Sequence, residues 1–284
     1  MGERAIELRP LSGAMGAEIH GVDLAKPLPA PVFAQVQRAL VDHGAIFFRD
    51  QDLSHQAQLD FARRFGPLDV HPIVDAMEGY PELLCVLKPA GESASFGVGW
   101  HTDNSFFAAP SLGSMLYARV VPPYGGDTLF ASMELAYQAL SDTMRHMLED
   151  LLAVHSAARA YDPATTGEAK YRGEAAITYH DSDVLHEEVE HPVIRTHPES
   201  GRKSIYVNQM FTQRICGLRH AESEALLRFL YQHCARPDFT CRFRWEAGSL
   251  ALWDNRSVQH YALDDYLEFE RLLYRVTISG TKPV

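Results

Sequence analysis

Hydrophobic positions change their period several times along the chain. In "PVFAQVQRALVDHG" apolar residues return at helical spacing and the run closes on glycine, which predicts a helix from about Pro31 to Asp42. "AIFFRD" is a short unbroken apolar run and reads as a buried strand, whereas "SHQAQLDFARRFG" reads as a helix capped by Ser54 and stopped by Gly66. From Pro81 onward short β-prone runs dominate: "ELLCVLKP", "LGSMLYARVVP", "DTLFAS", "HPVIRTHP", "KSIYVNQ", "FTCRFRW", "SLALWD" and "RLLYRVTISG", most of them bounded by Gly, Pro, Asn or Asp. Helical segments interrupt them near "SMELAYQALSDTMRHMLEDLL" and at "AESEALLRFLYQHCA".

This succession predicts a mixed α+β fold whose core is a sandwich or jelly roll, with helices outside and a pocket between two sheets. Residues 160–190 are polar, contain glycine and lack apolar periodicity, so they read as a long loop or lid that orders on ligand binding. No heptad run, low-complexity tract or repeat is visible. Size permits one domain or two, and a single domain over residues 1–284 is expected.

With 46% hydrophobic and 22% charged residues the composition is that of an ordinary globular chain. The formal net charge of -11 opposes binding to phosphate backbones, which excludes nucleic acid as an expected partner. An anionic substrate would be caught by a few locally placed arginines against that field, which points to a pocket. The opening "MGERAIELRP" has no apolar signal core, no later run is long enough to cross a membrane, and position six lacks the Ser or Thr of a myristoylation signal; a cytoplasmic location is expected. Cys85, Cys216, Cys234 and Cys241 form no CxxC pair and are expected to be reduced.

Candidate chemistry concentrates in "GWHTDNSFF". If this stretch is a strand, His101 and Asp103 point to one face and present an imidazole beside a carboxylate. A non-haem iron centre takes two histidines and one carboxylate and leaves three positions open. The second histidine on offer is His260 in "LWDNRSVQHYALDDY". In "RLLYRVTISG" Arg271, Leu273, Arg275 and Thr277 share one strand face, and Leu272, Tyr274, Val276 and Ile278 the other. Arginines on an inward face require anions; on an exposed edge they require nothing, and the pattern leaves both open. Two decoys fail. "HEEVEH" spaces its histidines five apart, not the four of a helical zinc motif, and no G-x-S-x-G elbow surrounds Ser105.

The ordered series "GAEIHGVDL", "HGAIFFRDQ", "FARRFGPL", "WHTDNSF", "GGDTLFAS", "WDNRSVQHYALDDY" and "RVTISG" resembles the taurine and 2,4-dichlorophenoxyacetate dioxygenases over nearly the whole chain. That resemblance implies a double-stranded β-helix of the cupin-like type with flanking helices. It implies His101, Asp103 and His260 as ligands of Fe(II), and 2-oxoglutarate and molecular oxygen as co-substrates. Arg271 and the Thr128 hydroxyl would meet the distal carboxylate of 2-oxoglutarate, and Arg275 the anion of the primary substrate. His71, Phe106 and Phe211 resemble substrate-pocket residues. Taken from the residues alone, His71 also fits a loop histidine, the two phenylalanines a core, and Gly125 and Gly126 a plain turn.

The activity implied is hydroxylation of a small anionic substrate, taurine or another alkanesulfonate, releasing sulfite and an aldehyde alongside succinate and carbon dioxide. Two departures from the taurine enzymes, Val74 for a tyrosine and Gly97 for an asparagine, keep open an aryloxyalkanoate, an alkyl sulfate or another small carboxylate. A reading of another class is a non-catalytic protein that binds metal or a small molecule. The family also implies a homo-oligomer.

Overall fold

Period-two alternation sets the layers. In a computed structural model that describes residues 6–92, 97–162, 176–179 and 182–284, Ile46, Phe48, Met115, Tyr117, Leu250, Leu252, Val276 and Ile278 point to one side of a sheet. Their neighbours Ala45, Phe47, Leu116, Ala118, Ala251, Trp253 and Leu273 point to the other. The sheet has seven strands in the order Glu7–Pro10, Ala17–His20, Ala45–Phe48, Leu250–Asp254, Gly113–Val120, Arg271–Ile278, Leu83–Lys88. Its pairings are antiparallel except between Ala17–His20 and Ala45–Phe48.

Two helices cover the outer face. Ala30–His43 buries Val32, Phe33, Val36, Ala39 and Leu40 at helical spacing, and ends where Gly44, at φ 71, returns its N–H to the Leu40 carbonyl. His55–Arg63 starts under the Ser54 hydroxyl, which accepts from the Ala57 N–H at 3.1 Å. The inner face meets a three-stranded sheet of Thr240–Phe243, Thr128–Ser132 and Val258–Ala262. Between the layers Phe47 stacks on Phe243 at 4.1 Å and meets Phe130 edge-on at 5.4 Å. Two smaller sheets, one of Thr212–Ile215, Leu152–His155 and Val189–Pro192 and one of Lys203–Ile205 and Ile194–Thr196, lie under helices Met133–Gln138, Asp142–Glu149 and His220–Cys234. The result is the expected jelly roll with flanking helices.

The differences from expectation have local causes. The helical stretch after Ser132 is two helices: the first ends at Gln138, and Ser141 starts the second by accepting the Met144 N–H. "HPVIRTHP" serves two sheets, with the break at Val193. Strands Leu152–His155, Thr212–Ile215 and Val258–Ala262 escape the sequence pattern because they bury polar side chains, His155, Thr212, Gln259 and His260 among them. The proposed loop over 160–190 is structured at both described ends: a helical turn Ala158–Tyr161, a bridge from Tyr179 to Val74, a 3-10 turn Asp183–His186, and a strand from Val189. Residues 163–175 and 180–181 lie outside the described residues. All four cysteines are free, and no helix among the described residues is long and apolar enough to cross a membrane.

Phe47→Ala should open a cavity between the layers and destabilise the fold by about 3–5 kcal/mol, read as a lower denaturation midpoint in urea.

Candidate active site

Two backbone hydrogen bonds build the site. His101 N–H donates to the His260 carbonyl at 3.1 Å and His260 N–H to the His101 carbonyl at 2.8 Å, an isolated bridge between a loop and the strand Val258–Ala262. Asp103 does not share a strand face with His101 as expected. The chain turns after the bridge, with Asn104 at φ 53, and the turn brings the carboxylate back to the imidazole. His101 Nε2 lies 3.5 Å and His260 Nε2 3.8 Å from Asp103 Oδ1. The three side chains are buried, and their ligand atoms lie within 4.8 Å of one another, a donor set able to hold a metal ion.

Each group is held in the right chemical form. His101 Nδ1 donates to the Gly99 carbonyl at 2.8 Å, which leaves the Nε2 lone pair facing the centre. The Asp103 Oδ2 accepts the Ser114 hydroxyl at 2.6 Å, which leaves Oδ1 inward. Asn255 fixes that serine through Nδ2 at 3.1 Å, and its Oδ1 takes the Trp253 indole N–H at 3.0 Å and the Asp103 N–H at 3.3 Å. His260 is set by packing instead: Trp253 lies 4.5 Å away and Phe130 stacks at 6.2 Å. Burial would raise the Asp103 carboxyl, but Arg275, His260 and His101 outweigh it and hold it well below the usual carboxylate range. Burial, with His101 adding to it, pushes the His260 imidazole well below its ordinary value, which favours the neutral ring, with one nitrogen lone pair available to a metal.

Both arginines are buried, at 5% and 4% exposure, which removes the exposed-edge alternative. Arg275 Nη2 lies 2.9 Å from Asp103 Oδ1. Arg271 has no hydrogen-bond partner for Nε or Nη2 among the described residues, an orphaned fork that a carboxylate would fill. Thr128 accepts the Trp245 indole N–H at 3.0 Å, so its own O–H remains to donate. The Gly125–Gly126 turn makes room for this end of the site. A Cβ on Gly126 would stand 3.2 Å from Arg271 Cδ, and one on Gly125 2.6 Å from the Asp265 carbonyl.

His101, Asp103, His260, Thr128, Arg271 and Arg275 thus surround one small chamber. It opens into a cavity of about 350 Å³ whose walls include Val98, Trp100, Tyr161, Tyr179 and Met210, with Arg275 and Asp103 also on its lining. His71, Phe106 and Phe211 stand one layer behind. His71 Nδ1 accepts the N–H groups of Ile73 and Val74, and its ring meets Tyr161 edge-on at 5.9 Å. Phe106 and Phe211 pack 5.0 Å apart and contact the same tyrosine at 6.0 and 6.1 Å.

Sequence reading missed Ser114 and Asn255, which look like ordinary strand and turn residues, and Tyr161 and Tyr179, which sit in the segment read as a loop. Trp100 had a usable signal in its place beside His101. The decoys stay rejected: His186 is exposed while His191 is buried on a strand, and Ser105 is fully buried under Asn208 and His155.

A family model described as taurine catabolism dioxygenase TauD, TfdA family matches residues 7–277. The alpha-ketoglutarate-dependent sulfate ester dioxygenase of Pseudomonas putida is 39% identical, over 98% of this chain and 91% of its own. The alkylsulfatase of Acinetobacter baylyi is 35% identical over 97% of this chain and 85% of its own. Among solved structures, a taurine dioxygenase from Burkholderia xenovorans superposes with a TM-score of 0.82 at 38% identity, covering 98% of this chain and 92% of that one.

Ser114→Ala should keep the fold and weaken divalent-metal binding by about 10–100-fold, measured by titrating Mn(II) into the purified protein.

Proposed function

The chain belongs to the TauD and TfdA dioxygenase family and is a 2-oxoglutarate-dependent dioxygenase, and from that premise we propose that it oxidises a short alkyl sulfate ester at the carbon bonded to the ester oxygen. The lining of the larger cavity carries this reading. It joins a buried arginine at its inner end to walls that include Val98, Trp100, Tyr161, Tyr179 and Met210, with Arg159 and Gln209 as further polar residues, and Asp103 is the sole carboxylate on its described lining. An anionic head with an apolar tail fits such a wall, whereas the ammonium of taurine would meet there only the Asp103 carboxylate, which already faces Arg275 and the two histidines. The sulfate-ester enzymes among the relatives support the same choice.

In this proposal His101 Nε2, Asp103 Oδ1 and His260 Nε2 hold Fe(II). When bound, iron supplies the activation of oxygen that couples decarboxylation of 2-oxoglutarate to succinate with hydroxylation of the substrate carbon. Arg271 and the Thr128 hydroxyl hold the distal carboxylate of 2-oxoglutarate, and Arg275 holds the sulfate oxygens so that the adjacent carbon faces the centre. In the hydroxylated ester the carbon–oxygen bond to sulfate breaks, its electron pair leaves with the sulfate, and loss of the hydroxyl proton gives the aldehyde. Arg275 stabilises the charge on the departing group. The aromatic walls exclude water, with His71, Phe106 and Phe211 fixing Tyr161 from behind.

A second reading, an alkanesulfonate releasing sulfite, uses the same clamp and is favoured by the likeness to a taurine dioxygenase structure. Matched series of alkyl sulfates and alkanesulfonates, with sulfate, sulfite and succinate all measured, separate the two. Sulfate equal to succinate is the expected result; sulfite equal to succinate moves the assignment to sulfonates, and succinate from neither series rejects both.

Arg271→Ala should raise the half-saturating 2-oxoglutarate concentration by about 100-fold, and Arg275→Ala that of the alkyl sulfate by a similar factor. Steady-state kinetics in which either variant shifted both ligands equally would dissolve this division of labour. Asp103→Ala should abolish iron-dependent turnover.

A further inference from the structure

The proposed reaction gives no role to the buried charge of Lys88. Lys88 ends the strand Leu83–Lys88 and stands directly opposite Arg271 in antiparallel register, so the two side chains leave the sheet on the same face. Val86, two residues earlier, lines the small chamber from that face. Lys88 is 4% exposed, and its Nζ has no hydrogen-bond partner among the described residues. Its ammonium lies 4.5 Å from the centre of the Tyr266 ring, and the Arg271 guanidinium carbon 5.8 Å from the same ring.

The nearby acids are committed elsewhere. Asp127 binds Arg242 Nε through Oδ2 at 2.6 Å, and Asp265 Oδ1 accepts the Gly126 N–H at 2.7 Å. Among the described residues neither Lys88 nor Arg271 has an ion-pair partner. A buried ammonium without an anion is unfavourable, and a ring face offsets only part of that. The two cations face the same Tyr266 ring, so a second buried positive charge stands behind Arg271, which lines the chamber.

We propose that Lys88 is a second cation of the co-substrate site, acting by charge beside Arg271, and that the pair makes the site select a dicarboxylic 2-oxo acid over a monocarboxylic one. This rests on 2-oxoglutarate occupying the chamber. Lys88 does not itself line the chamber, so it contributes short-range attraction for the distal carboxylate rather than a hydrogen bond. The ligand-free protein carries an unpaired buried ammonium, and the bound carboxylate offsets that cost.

The test compares wild type with Lys88→Met, which keeps the side-chain volume and removes the charge, with Lys88→Gln as a second neutral variant and Lys88→Arg as the charged control. Each is loaded with Mn(II) and titrated by calorimetry with N-oxalylglycine, an unreactive isostere of 2-oxoglutarate, and with 2-oxobutyrate. Melting temperatures are taken without ligand. Lys88→Met should melt higher than wild type yet bind N-oxalylglycine about tenfold more weakly, with 2-oxobutyrate unchanged and Lys88→Arg close to wild type. A purely structural lysine gives the opposite pattern, a lower melting temperature and equal loss for both acids, and that result overturns the proposal. So does unchanged N-oxalylglycine affinity in both neutral variants. Failure of wild type to bind N-oxalylglycine removes the co-substrate premise instead, and the proposal with it.

Discussion

The reciprocal backbone bridge between His101 and His260 is the constraint on which the site depends. It ties a loop to a strand that follows it late in the sequence, and it does so with main-chain atoms, so both imidazoles start from a fixed pair of Cα positions. Ser114, Asn255 and Trp253 then set the carboxylate, and the indole of Trp253 sets His260 by contact. Precision in the centre therefore comes from the rigid large sheet, which supplies all three of those residues or their neighbours.

Charge is arranged on two scales. Over the whole chain the balance is acidic, which repels small anions. Inside, Asp103 is the negative pole of a chamber whose other charged groups, Arg271 and Arg275, are positive, and burial strengthens each of these interactions by excluding water. Capture of an anion thus depends on short-range pairing after entry and owes nothing to long-range attraction.

The large-sheet strands and the helices on its outer face were legible in the sequence because their apolar patterns are strong, an unbroken run in "AIFF", a β-rich run in "RLLYRVTI" and helical spacing in "PVFAQVQRAL". Strands that bury His155, Thr212 or His260 were not, since a buried polar residue reads as a surface one. The site followed the same divide. Residue identity and the ordered resemblance brought out His101, Asp103, His260 and the two arginines. Ser114, Asn255 and Lys88 owe their meaning to register across strands, which no one-dimensional pattern carries.

Gly97 sits at φ 75, and a Cβ there would come to 3.4 Å from the His101 ring, at the edge of the larger cavity. Left-handed backbone of this kind admits glycine freely and asparagine at small cost, while branched side chains are effectively barred. At this corner of the cavity the backbone at Gly97 therefore restricts which side chains can stand beside His101. Divergence of substrate range at this corner has a very short list of single-step routes.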